Sequence, residues 1–287
     1  MEYMRALFRV TDWERVSIGR RILLAFVRVA TWIAALTILN HVLGAPITIL
    51  VTTRRMARNF PGVRVAPKPL ADYSVLSGPA TAMSYFGYEF EVPWNAAFQV
   101  KAIGKGGLVQ LRFDSGQDVI FGVPANQGGL FDEIVQDPSM NMANLKVILG
   151  DLVNRSAYDQ EAALLGTTPE SIRVFGPRTE AFRGATLLTI KAIAVGPGLQ
   201  TGVFSFQYPD KRGFQIGDPQ QSKRVDLEVY GVGGHHVEML LFAAKDSARF
   251  SQSDINRILT SLHPVSADSP VAAVPAHFTS PSSGRKK

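Results

Sequence analysis

A chain of 287 residues with 46% hydrophobic content, 25 glycines and 17 prolines suits one or two ordinary domains and excludes collagen-like and wholly disordered classes. The absence of cysteine excludes thiol nucleophiles, thiolate zinc sites, iron–sulfur clusters and disulfide staples. The net charge of +6 is unevenly spread: residues 1–68 hold eleven Lys and Arg against three Asp and Glu, whereas residues 69–265 hold sixteen against twenty. Because the basic excess surrounds an apolar segment and no basic patch interleaves with aromatics, it reads as the flank of a membrane span and not as a nucleic-acid footprint.

That segment, ILLAFVRVATWIAALTILNHVLGAPITILV, covers residues 22–51, and its last 23 residues carry no Lys, Arg, Asp or Glu. A helix of that length would reach roughly 35 Å at ~1.5 Å per residue, enough for a ~30 Å hydrocarbon core. The expectation is an uncleaved transmembrane anchor over 22–51, inserted in the lipid bilayer. It would be preceded by a basic juxtamembrane segment, 1–21, in which Trp13 and the pair Arg20–Arg21 suit an interfacial belt. The protein would then be a single-pass protein of the cell membrane, with its large domain extracytoplasmic. Residues 52–80 contain Pro61, Pro67, Pro69 and Pro79 with little periodicity and read as a stalk. Residues 265–287, rich in Pro, Ser and Ala, read as a disordered tail. One globular domain remains, 81–264.

Within it, Phe86, Tyr88, Phe90 and Val92 alternate with Gly87, Glu89 and Glu91 before Pro93 and Trp94 end the run, which predicts a strand. Residues 98–103 and 108–113 flank Gly104, Lys105, Gly106 and Gly107 and predict a hairpin. A further strand follows over 118–123. Residues 140–153 and 158–165 predict helices, and Thr168, Pro169 and Glu170 look like the start of another. Strands are expected again over 185–195 and 202–208. A late hairpin pairs Val225, Leu227 and Val229 with Val237, Met239 and Leu241 across the turn Gly231–Gly234. Ser251 with Asp254 forms a capping box for a last helix bearing Ile255, Ile258, Leu259 and Leu262 as an apolar stripe. The fold class is therefore α+β, with a transmembrane helix before one domain whose mostly antiparallel sheet is packed by helices.

The strand FGYEFEVPW at 86–94, the next two strands, the helical middle, the late hairpin and the closing helix DINRILTSL at 254–262 together resemble the PsbP-like superfamily. That group includes extrinsic subunits of the photosynthetic oxygen-evolving complex and anchored bacterial domains. The resemblance covers about 84–264. It implies an α/β/α sandwich and a non-enzymatic accessory or assembly role, and it transfers no catalytic residue.

Candidate chemistry is sparse. If Val229 pairs with Val237, the outward face of the hairpin sets Tyr230 opposite His236 and Glu228 opposite Glu238. Facing carboxylates beside an imidazole could bind a divalent cation, but this set names two or three ligands where such a site needs three or four. The face is accordingly read as solvated, and no metal, cofactor or catalytic residue is assigned. The glycine runs at 104–107, 196–198 and 231–234 precede no helix and match no phosphate-binding loop, so they read as turns. No Gly-x-Ser-x-Gly elbow is present. Asp132 with Glu133, and Glu89 with Glu91, read as solvated acids. Asn154-Arg155-Ser156 is a glycosylation pattern useful only in a eukaryotic secretory setting. The functional expectation is a membrane-anchored accessory domain for binding, assembly or structure, partnered by another membrane or envelope protein. The alternative is an anchored hydrolase with an extracytoplasmic site.

Overall fold

The computed structural model describes residues 29, 31–33, 45–75, 77–94, 97–103, 107–124, 127, 131, 142–174, 176–194, 200–245 and 248–265. Eight strands form the main sheet: β1 (Lys68–Pro69), β4 (Ala97–Ile103), β5 (Leu108–Phe113), β6 (Gln117–Gly122), β7 (Val203–Gln207), β8 (Arg212–Ile216), β9 (Arg224–Val232) and β10 (His235–Ala243). Their order is β1-β7-β8-β9-β10-β6-β5-β4, antiparallel throughout except for the parallel β1–β7 pair. A second sheet of β2 (Thr81–Tyr85), β3 (Tyr88–Val92) and β11 (His263–Pro264) has the order β11-β3-β2.

One face of the main sheet is apolar because alternate residues point the same way. Leu111, Phe113, Val119, Phe121, Val225, Leu227, Val229, Val237, Met239 and Leu241 are all buried there. Against them pack Met83, Phe90 and Val92 of the small sheet and the stripe Ile255, Ile258, Leu259 and Leu262 of helix α5 (Gln252–Ser261) and its C-terminal flank. The capping box at the start of α5 is present: Asp254 N–H donates to Ser251 Oγ at 3.2 Å, and Ser251 N–H donates to Asp254 Oδ2 at 2.8 Å.

The other face carries helices. These are α1 (Ala45–Asn59), α2 (Met142–Leu149), α3 (Ala157–Gly166) and α4 (Arg178–Ala194). On α4, Ala181, Ala185 and Leu188 pack with Ile49, Met56 and Ala57 of α1, while Leu187 and Ile190 pack with Leu149, Leu152 and Leu164. Helix α3 meets the sheet through Tyr158 and Leu165, which cluster with Val203, Phe214, Ile216 and Tyr230. The sheet thus lies between a helical layer and a layer that combines one helix with the small sheet.

Four expectations are corrected. Among the described residues no helix is long and apolar enough to cross a membrane, which overturns the transmembrane helix over 22–51 and, with it, the single-pass reading. Most of 22–44, like the basic segment 1–21, lies outside the described residues. Val29, however, is buried among Phe131, Leu149 and Leu152, and 45–51 open helix α1. That helix buries Thr48, Ile49, Thr52, Thr53, Met56 and Ala57 and exposes Arg54, Arg55 and Arg58, so these three bases lie on the exposed face of a protein-packed amphipathic helix. An apolar run has the same hydropathy whether its neighbours are lipid or protein.

The first part of the expected stalk, 52–70, is likewise packed structure, whereas the described residues of 71–80 are exposed and form no helix or strand. Pro61 opens a 3₁₀ turn (Pro61–Arg64), Leu70 enters the apolar core, and Pro69 sits in β1, an edge strand where its missing N–H costs no ladder bond. The strand expected over 185–195 belongs to helix α4. Its residues 185–191 are buried on every side, so no polar face marks the helical period, and Thr186, Thr189 and Ile190 suggest a strand. The solvated face of the late hairpin is instead half-buried beneath α3, as the site geometry shows. Within the expected tail, Val265 N–H donates to Gly87 O at 2.8 Å, and 266–287 lie outside the described residues.

Candidate functional site

The β9–β10 register sets Tyr230 opposite His236, Val229 opposite Val237, and Glu228 opposite Glu238, as the alternation requires. The connecting turn uses Gly233 (φ +60°) and Gly234 (φ +86°), conformations that favour glycine at both central positions of a tight hairpin. A register shift follows at His235/His236. The His236 N–H donates to Gln127 Oε1 at 2.6 Å. With Val229 and Val237 directed into the apolar core, their neighbours Glu228, Tyr230, His236 and Glu238 are directed to the helical side.

There His236 Nε2 lies 2.8 Å from Glu228 Oε2, and its ring stacks on Tyr230 with centroids 4.3 Å apart and planes 6° from parallel. One ligand atom from each of Glu228, His236 and Glu238 falls within 4.8 Å of the others. Tetrahedral bonds near 2.0 Å place ligand atoms roughly 3.3 Å apart, so small side-chain rotations would close the set on an ion. His236 is 11% exposed and Glu228 24%, far from the solvated face that alternation alone suggests.

Helix α3 causes that burial. Tyr158 stacks on Phe214 at 5.1 Å, meets Tyr230 edge-on at 5.7 Å and carries the Arg212 guanidinium 3.9 Å above its ring. Glu161, one turn later on the same helix, is half-buried and feels the charges of Glu228 and His236. Burial, with Asp226 adding, pushes the Glu228 carboxyl up to about 8. Burial also pushes Glu161 up to about 8, helped by Glu228 and opposed by His236 and Lys191. Both shifts come first from burial and only second from neighbouring acids. Asp226 itself is held by Arg224 through two 2.9 Å bonds.

Glu161 was not singled out in the sequence. Its trace was the spacing Tyr158, Glu161, Leu165, which shares one helical face, but nothing local says which strands that face covers.

The other candidates supply less chemistry. Ser261 and His263 lie near Glu89, with His263 Nε2 3.5 Å from Glu89 Oε2. Ser261 Oγ, however, donates to Arg257 O at 2.7 Å and accepts from Glu91 N–H at 2.8 Å, so it is engaged with backbone and is no nucleophile. An open cavity of about 500 Å³ beside it is lined by Val75, Ser77, Gly78, Glu91, Arg257, Thr260 and Ser261. Its one base, Arg257, pairs with Glu91 at 3.3 Å. The glycine run at 231–234 is the hairpin turn, Asn154 ends a 3₁₀ turn, and Ser156 caps α3. Asp132, Glu133 and the residues 104–106 and 196–198 lie outside the described residues.

The chain is thus an α+β domain with a carboxylate–imidazole cluster between sheet and helix. No protein-family model, curated protein or solved structure matches it.

Proposed function

We propose that this protein is an accessory binding module and that its site takes a divalent first-row transition-metal cation. The observation that carries this reading is the convergence of Glu228, His236 and Glu238 within 4.8 Å on two adjacent strands. One imidazole with carboxylates suits Zn²⁺ or Mn²⁺, whereas Mg²⁺ and Ca²⁺ prefer all-oxygen sets. A bound dication would displace the protons that burial leaves on the acids. The resemblance over 84–264 implies the same non-enzymatic class. The hydrolase alternative gains no support from the open cavity, where Ser261 Oγ is committed to backbone groups.

The test is calorimetric titration of the chelator-treated full chain with Zn²⁺ and Mn²⁺, with Mg²⁺ as control and metal content measured after dialysis. One transition-metal ion per chain, lost in His236→Gln and Glu238→Gln, is expected. Absence of stoichiometric binding, or binding that survives both changes, refutes the proposal.

A further inference from the structure

The main sheet ends differently on its two sides. One edge is β1, two residues long and carrying Pro69, which blunts it as a pairing template. The other edge is β4, seven residues over Ala97–Ile103, whose ladder partner among the described residues is β5. Gln99, Val100, Lys101 and Ala102 are all exposed. Neighbouring side chains of a strand point to opposite sides, so four exposed residues in succession put both faces of β4 in solvent. The backbone groups directed away from β5 form an open edge to which another strand can be added.

The two faces of that edge differ. Val100 lies opposite Leu111 and so shares the apolar face of the sheet, yet it is 45% exposed where Leu111 is fully buried. The cover that buries Leu111 thus ends before β4. Gln99 and Lys101 lie opposite Arg112 and Gln110, on the other face.

This pattern matches itself. An antiparallel pairing with β4 of a second copy, its two-fold axis on Val100, sets Val100 against Val100 and Gln99 against Lys101. Apolar then meets apolar, and the one charge of the strand meets an amide. An axis one residue later would oppose two Lys101 ammonium groups, and like charges directly opposite are unfavourable. An axis one residue earlier would set Lys101 against Ala97 and meet the register shift between Ala97 and Gln99. Lys101 therefore selects the register and does not bar the pairing.

We infer that β4 is a homodimer interface, at which two copies join edge to edge about a two-fold axis on Val100 and their sheets become one continuous sheet. Dimerisation covers the exposed Val100 of each copy and pairs main-chain groups along the open edge. One strand pair is small beside the ~1,200–2,000 Å² of a standard interface, so the association is weak and reversible.

Sedimentation velocity of the full chain in chelator, over a wide range of concentration, tests this together with Val100→Glu. A carboxylate is tolerated at an exposed site in the monomer but meets its own copy at the axis. Expected are a concentration-dependent dimer in the unaltered chain and a dissociation constant at least roughly tenfold higher in Val100→Glu. Because the chain has no cysteine, a single introduced thiol reports the register. Val100→Cys should oxidise to a linked dimer, since directly opposed residues stand about 4.5–5.5 Å apart between Cα atoms. Lys101→Cys, diagonal to its copy at roughly 7–8 Å, should not. A chain monomeric at every concentration overturns the inference, as does a dimer that Val100→Glu leaves intact, which would place the second copy on another face. Equal linkage of the two thiol variants overturns the axis on Val100. If Val100→Glu misfolds, the unaltered chain and the thiol variants still decide.

Discussion

Replacing Lys191 with Met tests the junction that anchors the helical layer. The Lys191 side chain is fully buried, and its Nζ donates to Val65 O at 2.7 Å, Leu165 O at 2.6 Å and Thr167 O at 2.9 Å. One ammonium therefore ties α4, the end of α3 and the segment after the 3₁₀ turn. Burial lowers its pKa from 10.5 to about 8. At ~1.36 kcal/mol per unit, keeping the charge buried costs the folded state roughly 3.4 kcal/mol. Removing the amine abolishes that cost but orphans three buried carbonyls, at roughly 1–3 kcal/mol each. The net loss near pH 7 therefore lies between about 0 and 6 kcal/mol, centred near 2–3.

The pH dependence is more diagnostic than the magnitude. Between pH 8 and 10.5 the unfolded chain binds this proton more tightly than the folded one, so this group makes stability rise with pH across that window. Below about 8 both states hold the proton and the slope vanishes. Urea unfolding of both proteins at several pH values from 7 to 10.5, followed by circular dichroism, should show the gap between them widening upward in pH. A constant gap across that window would refute the buried-ammonium account.

Three further outcomes are expected. Leu227→Ala should lose roughly 2–5 kcal/mol in urea unfolding, because the side chain is fully buried between the two sheets and α5; a change under 1 kcal/mol would contradict the core assignment. Gly213→Ala should lose more than about 3 kcal/mol or fail to fold, since its Cβ would lie 2.0 Å from Glu228 O and 2.6 Å from the Phe206 ring; parental thermal stability would show that β8 and β9 pair less closely. Deleting residues 1–52 should abolish cooperative unfolding, because it removes Val29 and Ile49 from packed clusters, takes away the buried Thr48 and Thr52, and bares the face of α4; a sharp thermal transition in the remainder would show that the first half of α1 is dispensable.

Much of the sheet was legible because a half-buried strand writes its environment at period two. Val225, Leu227 and Val229 against Val237, Met239 and Leu241 fixed both the hairpin and its inward face, and Glu228 opposite Glu238 followed from the register. The capping box of α5 was legible for the same reason: Ser251 and Asp254 act within three residues of one another. Phe86 and Gly87 form a turn and not the start of the opening strand, which is confined to β3, and β2 ahead of that turn is a strand its alternation did not announce. Strand β8 was also missed.

The sequence by itself determined an α+β fold, the pairing of β9 with β10 and the residues that line the hairpin's second face. Only the tertiary structure decided what covers that face. Glu161 lies 67 positions from Glu228, and its approach depends on where α3 settles, which no local spacing encodes. The same reason governs the N-terminal region and α4. Hydropathy records that Ile49 and Leu188 avoid water, but it does not record that they avoid it against each other. Burial on one side of a strand is a local pattern, whereas the identity of the neighbour that provides it is a property of the assembled layers.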